Sequence, residues 1–198
     1  RFWLLYISVT SILILFMLEG LVRILDLAPP ITDVLMYYEK DPLIPFKPKP
    51  DTRVSGRSSS GEFDFDYRHN SFGFRDVEHT IEKSEGVFRI LALGDSFTYG
   101  VGASFENTYL YRLEKMLNDR PGNHPKIEII KGGIPSYYPE PERLLLQHYG
   151  LRYKPDLLIV GFLPNDVGDT YMGRDWLTVG TDSYLKTRFG ESLGEYGT

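Results

Sequence analysis

The chain contains no cysteine. That excludes disulfides, thiolate metal sites and a cysteine nucleophile, but it does not fix the compartment, because many envelope proteins also lack cysteine. Basic clusters are missing as well. The net charge is −5 and residues 1–27 are neutral overall, with Arg1 and Arg23 offsetting Glu19 and Asp26. An acidic domain with no basic patch argues against nucleic acid as a partner. Histidine is scarce, with 4 in the chain and none after His148. Asp166, Asp169 and Asp175 have no histidine beside them and no regular ligand spacing, so no metal is expected, and no cofactor. Internal repeats are absent. What is present is ordinary for a folded protein: 198 residues, 42% hydrophobic, 14% aromatic and 25% charged. This suits one domain with a packed core plus an anchor, and excludes global disorder.

The anchor is the N-terminus. Phe2 to Leu18 are 17 residues without a charge, broken only by Ser8, Thr10 and Ser11. As a helix this run spans roughly 26 Å, close to a bilayer core of about 30 Å. Gly20 to Leu27 extend it, with Glu19, Arg23 and Asp26 near the headgroups. No small-x-small cleavage site precedes Pro29-Pro30, so an uncleaved transmembrane helix is expected over about residues 2–25, with the lipid bilayer as its partner. The domain that follows is expected on the extracytoplasmic, periplasmic side of a single-pass protein. Arg1 alone is too little to orient the helix by positive-inside bias.

Pro42, Pro45, Pro48 and Pro50 favour an extended, stiff spacer, and Ser55 to Gly61 reads as a loop. Phe63, Phe65 and Tyr67 alternate with Asp64, Asp66 and Arg68, the period of a half-buried strand, and a turn follows at Asn70-Ser71-Phe72-Gly73-Phe74-Arg75. From Phe88 the pattern becomes strand alternating with helix. Strands are predicted at 88–93, 127–130 and 157–162, and helices at 109–117 and 140–149. This order implies a parallel sheet with right-handed crossovers, whose ligand chemistry sits beyond the carboxyl ends of the strands. Those ends are Gly94-Asp95-Ser96, Gly132-Gly133 and Pro164-Asn165-Asp166.

A serine nucleophile needs a base, plus donors for the oxyanion formed when it attacks a carbonyl. Ser96 just after a strand can turn its Oγ and its own amide into a cleft. Gly133, without a side chain, can bring a backbone N–H close, and Asn165 can supply an amide donor. A Gly-Asp-Ser tripeptide or a strand-end glycine alone means little; their placement at successive strand ends carries the inference. The serine motif has Thr98 where the α/β-hydrolase elbow requires glycine. The aromatic group Tyr137, Tyr138, Tyr149, Tyr153, Tyr171 and Trp176 can line a carbohydrate cleft, but core packing accounts for it more simply.

Gly94-Asp95-Ser96-Phe97-Thr98-Tyr99-Gly100 resembles the first block of the SGNH (GDSL-type) hydrolases. Gly132-Gly133-Ile134-Pro135-Ser136 resembles the second, and Asn165-Asp166 the end of the third. The resemblance covers about residues 88–170, and the layout is similar to membrane-anchored bacterial members. It implies Ser96 as nucleophile and first oxyanion donor, Gly133 and Asn165 as further donors, and Gly94 and Asp95 in support. It also implies a three-layer α/β fold, a parallel sheet flanked by helices. Departures are Lys131 where the second block usually has asparagine, and Leu163 where the third usually has glycine. The family's final Asp-x-x-His should follow Asn165, and none does, so the base is expected either beyond Thr198, with the C-terminal part of the fold, or to be missing from the protein; the first is the simpler reading. Asp66-Tyr67-Arg68-His69 and Asp76-Val77-Glu78-His79 match that pattern but precede Ser96; they read as loop and edge strand, with both histidines out of reach of the serine. His124 reads as loop and His148 as structural.

Residues 1–28 are thus read as the anchor, 29–62 as Pro-rich linker and loop, and 63–198 as an SGNH-like α/β domain. The expected function is a serine esterase or acyltransferase of the cell envelope, acting on acyl (acetyl foremost) esters of a glycan or lipid. The alternative is a non-catalytic SGNH-like subunit, with other subunits of a membrane complex as partners.

Overall fold

In the computed structural model the described residues are 2–24, 36–58, 61–172 and 177–187. Asp175, Trp176, the expected helix stop at Pro29-Pro30 and the glycines after Thr187 lie outside them. The chain divides into two units, an N-terminal helix and a compact domain.

The helix, α1, runs Phe2–Ile24. Its segment Phe2–Leu21 has a mean hydropathy of 2.1 and no buried share, and is one helix long and apolar enough to cross a membrane. Two of its hydroxyls are satisfied internally: Ser8 Oγ donates to the Leu4 carbonyl and Thr10 Oγ1 to that of Tyr6, both at 2.9 Å. A helix surrounded by lipid needs such internal pairing.

The domain is mixed α/β around a three-stranded parallel sheet. Its strands are β5 (Val87–Gly94), β6 (Lys126–Gly133) and β7 (Leu157–Gly161), in the order β6-β5-β7. Among the described residues its α-helices are α2 (Ser96–Tyr99), α3 (Tyr109–Asn118), α4 (Pro139–His148) and α5 (Asn165–Met172). Alternation along the strands divides the core between two faces. Ile90, Ala92, Ile127 and Ile129 pack with Leu110, Leu113 and Leu117 of α3. Leu91, Leu93 and Ile130 point the other way, to Leu145 of α4 and a larger aromatic cluster. The i, i+3, i+7 spacing of the α3 leucines is what lays that helix on the sheet. At the β7 edge, Leu157, Leu158 and Val160 remain 46%, 39% and 50% exposed.

Four short strands precede the sheet. They are β1 (Tyr38–Glu39) paired with β2 (Lys47–Pro48), and β3 (Arg53–Arg57) paired with β4 (Asp64–Arg68), all antiparallel. A further hairpin, β8 (Leu177–Val179) with β9 (Leu185–Thr187), follows α5.

The Pro-rich segment, expected as a spacer, is built into the domain instead. Ile44 and Phe46 are 3% and 2% exposed, and Phe46 meets Tyr38 and Tyr137 edge-on. Tyr137 donates to the Phe46 carbonyl and Tyr149 to Asp41 at 2.8 Å. Proline does favour extended chain here, but the apolar residues between the prolines turn that chain into a core element. The same bonds place Tyr137 and Tyr149 in packing rather than in a cleft; Tyr138 and Tyr153 are buried, and Tyr171 is 93% exposed.

Candidate active site at the carboxyl end of the sheet

The strand ends are level. Gly94 of the central strand pairs with Gly133 on one side and Gly161 on the other. The reason all three are glycine is steric. A Cβ on Gly94 or Gly161 would lie 2.1 or 2.3 Å from Thr98 Oγ1, and one on Gly133 would lie 2.4 Å from the Tyr99 nitrogen. The single turn of α2 therefore rests directly on the end of the sheet, and Thr98 occupies the space the glycines leave. This accounts for a threonine where a hydrolase elbow would have glycine.

Ser96 opens α2 and is half-buried. Asp95 caps the turn, its Oδ1 accepting from the Phe97 N–H at 2.9 Å, and Gly100 closes it in the left-handed region at φ 81°. The turn is braced from the N-terminal side. Asn70 Oδ1 accepts from the N–H groups of Phe72, Gly73 and Phe74, folding the Asn70–Arg75 segment into a tight loop. Arg75 then donates to the carbonyls of Tyr99, Gly100 and Ala103 and stacks 4.2 Å over Tyr67. The Tyr99 carbonyl is one of the acceptors that a helix end leaves bare.

Asn165 is the first residue of α5 and is half-buried. Its amide nitrogen sits 3.4 Å from Asp169 Oδ2, a long contact, and its side chain favours the ionised form of the Asp95 carboxyl. It thus acts on the residue beside Ser96 from beyond the end of the neighbouring strand β7, with its amide turned toward a carboxylate. Burial foremost, and then the Asp166 charge, raise the Asp95 carboxyl above its ordinary value, opposed by the Phe97 N–H and the Asn165 amide.

Neither upstream histidine is bonded to Ser96. His69 Nδ1 meets Thr52 Oγ1 at 3.0 Å and Nε2 meets the Tyr99 hydroxyl at 2.9 Å; burial and the Arg75 charge push it down to about 4. His79 Nε2 is 2.8 Å from Asp76 Oδ2, and its Nδ1 faces Glu128 Oε1 at 3.2 Å, a contact of charge rather than an aligned hydrogen bond. His124 bonds to loop carbonyls, and His148 ends α4.

The Lys131 departure has a structural explanation. Its ammonium is buried between Asp76 Oδ1 at 3.0 Å and Glu114 Oε2 at 2.6 Å, while its backbone N–H donates to Asp76 Oδ2 at 2.8 Å. With His79, Glu128 and the buried Arg89, which bonds Glu128, these groups form a charged seam along β6. The second Asp-x-x-His sequence is a fastening of this seam.

Glu142 gave no functional signal in sequence, yet it is 4% exposed. Burial first, and then the Asp166 and Asp95 charges, raise it to about 7. Its position three residues before Leu145 on the inward face of α4 is the one cue a sequence offers. Among the described residues, no group of histidine and acidic side chains is arranged to hold a metal ion.

No protein-family model matches the chain, and no curated protein matches it.

Proposed function

We propose that this chain carries the acyl-transfer site of an SGNH-type serine esterase or acyltransferase. Ser96 is the nucleophile, and its own amide, the Gly133 N–H and the Asn165 side chain receive the oxyanion. One observation carries the reading: Gly94, Gly133 and Gly161 stand level, with Ser96 turned over the first and Asn165 acting on Asp95 from beyond the third. For catalysis, one Asn165 N–H has to leave its carboxylate and face the cleft. Attack by Ser96 Oγ forms an acyl-enzyme and expels an alcohol. Water or a second hydroxyl then takes the acyl group, and a base outside the described residues accepts the serine proton. The apolar α1 supports an envelope location, with the domain extracytoplasmic and glycan or lipid acyl esters as substrates.

A fluorophosphonate probe tests this directly. It should label the folded protein at Ser96 and fail to label Ser96→Ala. Protease added to intact spheroplasts should digest the domain; protection until lysis would reverse the sidedness. A non-catalytic subunit is the second reading, favoured by one feature: the ring nitrogens of His69 and His79 are engaged elsewhere. Absence of labelling in a folded protein would select it.

A further inference from the structure

Ser96 and Gly133 sit on different elements, the α2 turn and the end of β6, so their amides serve one oxyanion only if the two elements keep a fixed spacing. Contact sets the lower limit: a methyl on Gly133 would lie 2.4 Å from the Tyr99 nitrogen and 2.6 Å from the Thr98 carbonyl carbon. Contact cannot hold the turn down, however. The turn is four residues long, and Gly100 and Gly102 behind it are both in the left-handed region, at φ 81° and 80°. A single turn has too few bonds of its own to stay in place.

The pull comes from two consecutive residues. Arg75, 4% exposed, spreads three bonds over the exit of the turn, to the carbonyls of Tyr99 at 3.2 Å, Gly100 at 2.7 Å and Ala103 at 2.7 Å. The Tyr67 ring stacks on the guanidinium, and its hydroxyl accepts from the Gly102 N–H at 2.9 Å. The Gly100 and Val101 N–H groups donate to the Ser96 carbonyl at 3.0 and 3.1 Å, so a hold on the exit is a hold on the serine. Asp76 is fastened to β6 by the Lys131 N–H at 2.8 Å and the Lys131 ammonium at 3.0 Å. Lys131 stands two residues before Gly133 on the same strand. Adjacent Cα atoms are about 3.8 Å apart across a planar peptide, so no flexible link separates the two grips.

We propose that Arg75 and Asp76 form a clasp between the Ser96 turn and β6 that sets the spacing of the Ser96 and Gly133 amides. Arg75 is thereby a positioning residue for the nucleophile, and Asp76 is its anchor. The catalytic consequence rests on the acyl-transfer reading of Ser96; the mechanical link between turn and strand does not. The clasp also gives the Asn70–Arg75 segment a task. Asn70 Oδ1 gathers three N–H groups ahead of the dipeptide, and Nδ2 donates to the Val77 carbonyl behind it at 3.0 Å, so one side chain holds both flanks.

The test uses the full chain in detergent, with fluorophosphonate labelling and nuclear magnetic relaxation of backbone amides. Arg75→Lys keeps the charge but loses the fork that reaches three carbonyls. Its maximal labelling rate should fall about a hundredfold, the scale of a misplacement of about 1 Å, with the half-saturating probe concentration unchanged. Asp76→Asn should also slow labelling, and the double variant should be no slower than Arg75→Lys, because the second change opens a link already broken. The bonds of Asp76 go to Val77, His79 and Lys131, yet Asp76→Asn should broaden the Gly100 and Val101 amides as Arg75→Lys does, leaving those of β5 as in wild type. Labelling of Arg75→Lys at the wild-type rate, or losses that multiply in the double variant, overturns the positioning role and leaves the esterase reading standing. A wild type that never labels overturns the esterase reading, and relaxation then decides the clasp: broadening at Gly100 and Val101 in both variants supports it, and none in Asp76→Asn overturns it. Should Arg75→Lys fail to fold, Asp76→Asn supplies both readouts by itself.

Discussion

Replacing Asp76 with asparagine removes the centre of the seam along β6 while nearly preserving shape. The carboxylate is fully enclosed and accepts from His79, the Lys131 ammonium, the Lys131 amide and the Val77 amide, at 2.8, 3.0, 2.8 and 2.9 Å. Breaking a buried ion pair by deleting one partner costs about 3–5 kcal/mol. Lys131 keeps Glu114 at 2.6 Å, which argues for the lower end of that range. With about 3 kcal/mol lost, the melting temperature of a domain this size should fall by about 6–12 °C. The pH dependence carries more information than the magnitude. Burial alone would raise Asp76, but the His79 bond and the Lys131 charge bring it below its ordinary value. Burial alone would lower His79, but Asp76 and Glu128 raise it. The Asp76 contribution is therefore present above about pH 4 and lost as pH falls through its lowered value, while the His79⁺ contribution is complete below about pH 6.5 and lost as pH rises through its raised value. Urea unfolding followed by circular dichroism should show the largest wild-type-to-variant gap between those limits, shrinking at higher pH to the Lys131 share. High salt should change it little, because the groups are buried. A gap below about 1 kcal/mol at pH 6, the scale of a surface pair, or one that widens with pH, would refute the reasoning.

Other substitutions probe the sheet end. Gly133→Ala places a methyl 2.4 Å from the Tyr99 nitrogen, a backbone atom that cannot step aside, so urea unfolding should show a loss of about 2–3 kcal/mol, with labelling of Ser96 falling in parallel. Asn165→Ala should leave the unfolding midpoint nearly unchanged and cut esterase turnover about a hundredfold or more, the usual cost of an oxyanion donor. Glu142→Gln should separate from wild type only on the alkaline side. The folded carboxyl is raised to about 7, so wild type carries its full penalty above that pH and none below the ordinary carboxylate range. At pH 8 the variant should be the more stable by up to about 3 kcal/mol in calorimetry, and at pH 4 the two should coincide.

The parallel core was legible because its apolar runs are uninterrupted and end in glycine. Strands expected at 88–93, 127–130 and 157–162 occupy 87–94, 126–133 and 157–161, and the helix expected at 140–149 spans 139–148. The three strand ends were legible for the same reason. What single positions could not reveal depends on partners distant in sequence. Pro42 to Pro50 reads as a spacer because Phe46 finds Tyr137 only across 91 positions of chain. Lys131 looked like a flaw in a motif because Asp76 lies 55 residues away. Glu142 is an ordinary helix residue until the folded domain buries it. Gly133 shows a limit of another kind. The clearance under α2 already requires glycine there, so its identity does not separate a packing role from a donor role, and only chemistry on Ser96 can.

Because Ile44 and Phe46 are core residues, the stretch from Pro42 to Pro50 is not a dispensable stem. A soluble version trimmed at Pro50, where the prolines end, would vacate the pocket that Phe46 fills and leave the Tyr137 hydroxyl without its acceptor. Emptying one large aromatic site costs about 3–5 kcal/mol. A version without the apolar helix therefore calls for a cut ahead of Met36. For the same reason, insertions or deletions between the prolines would act as core mutations rather than as changes in the length of a spacer.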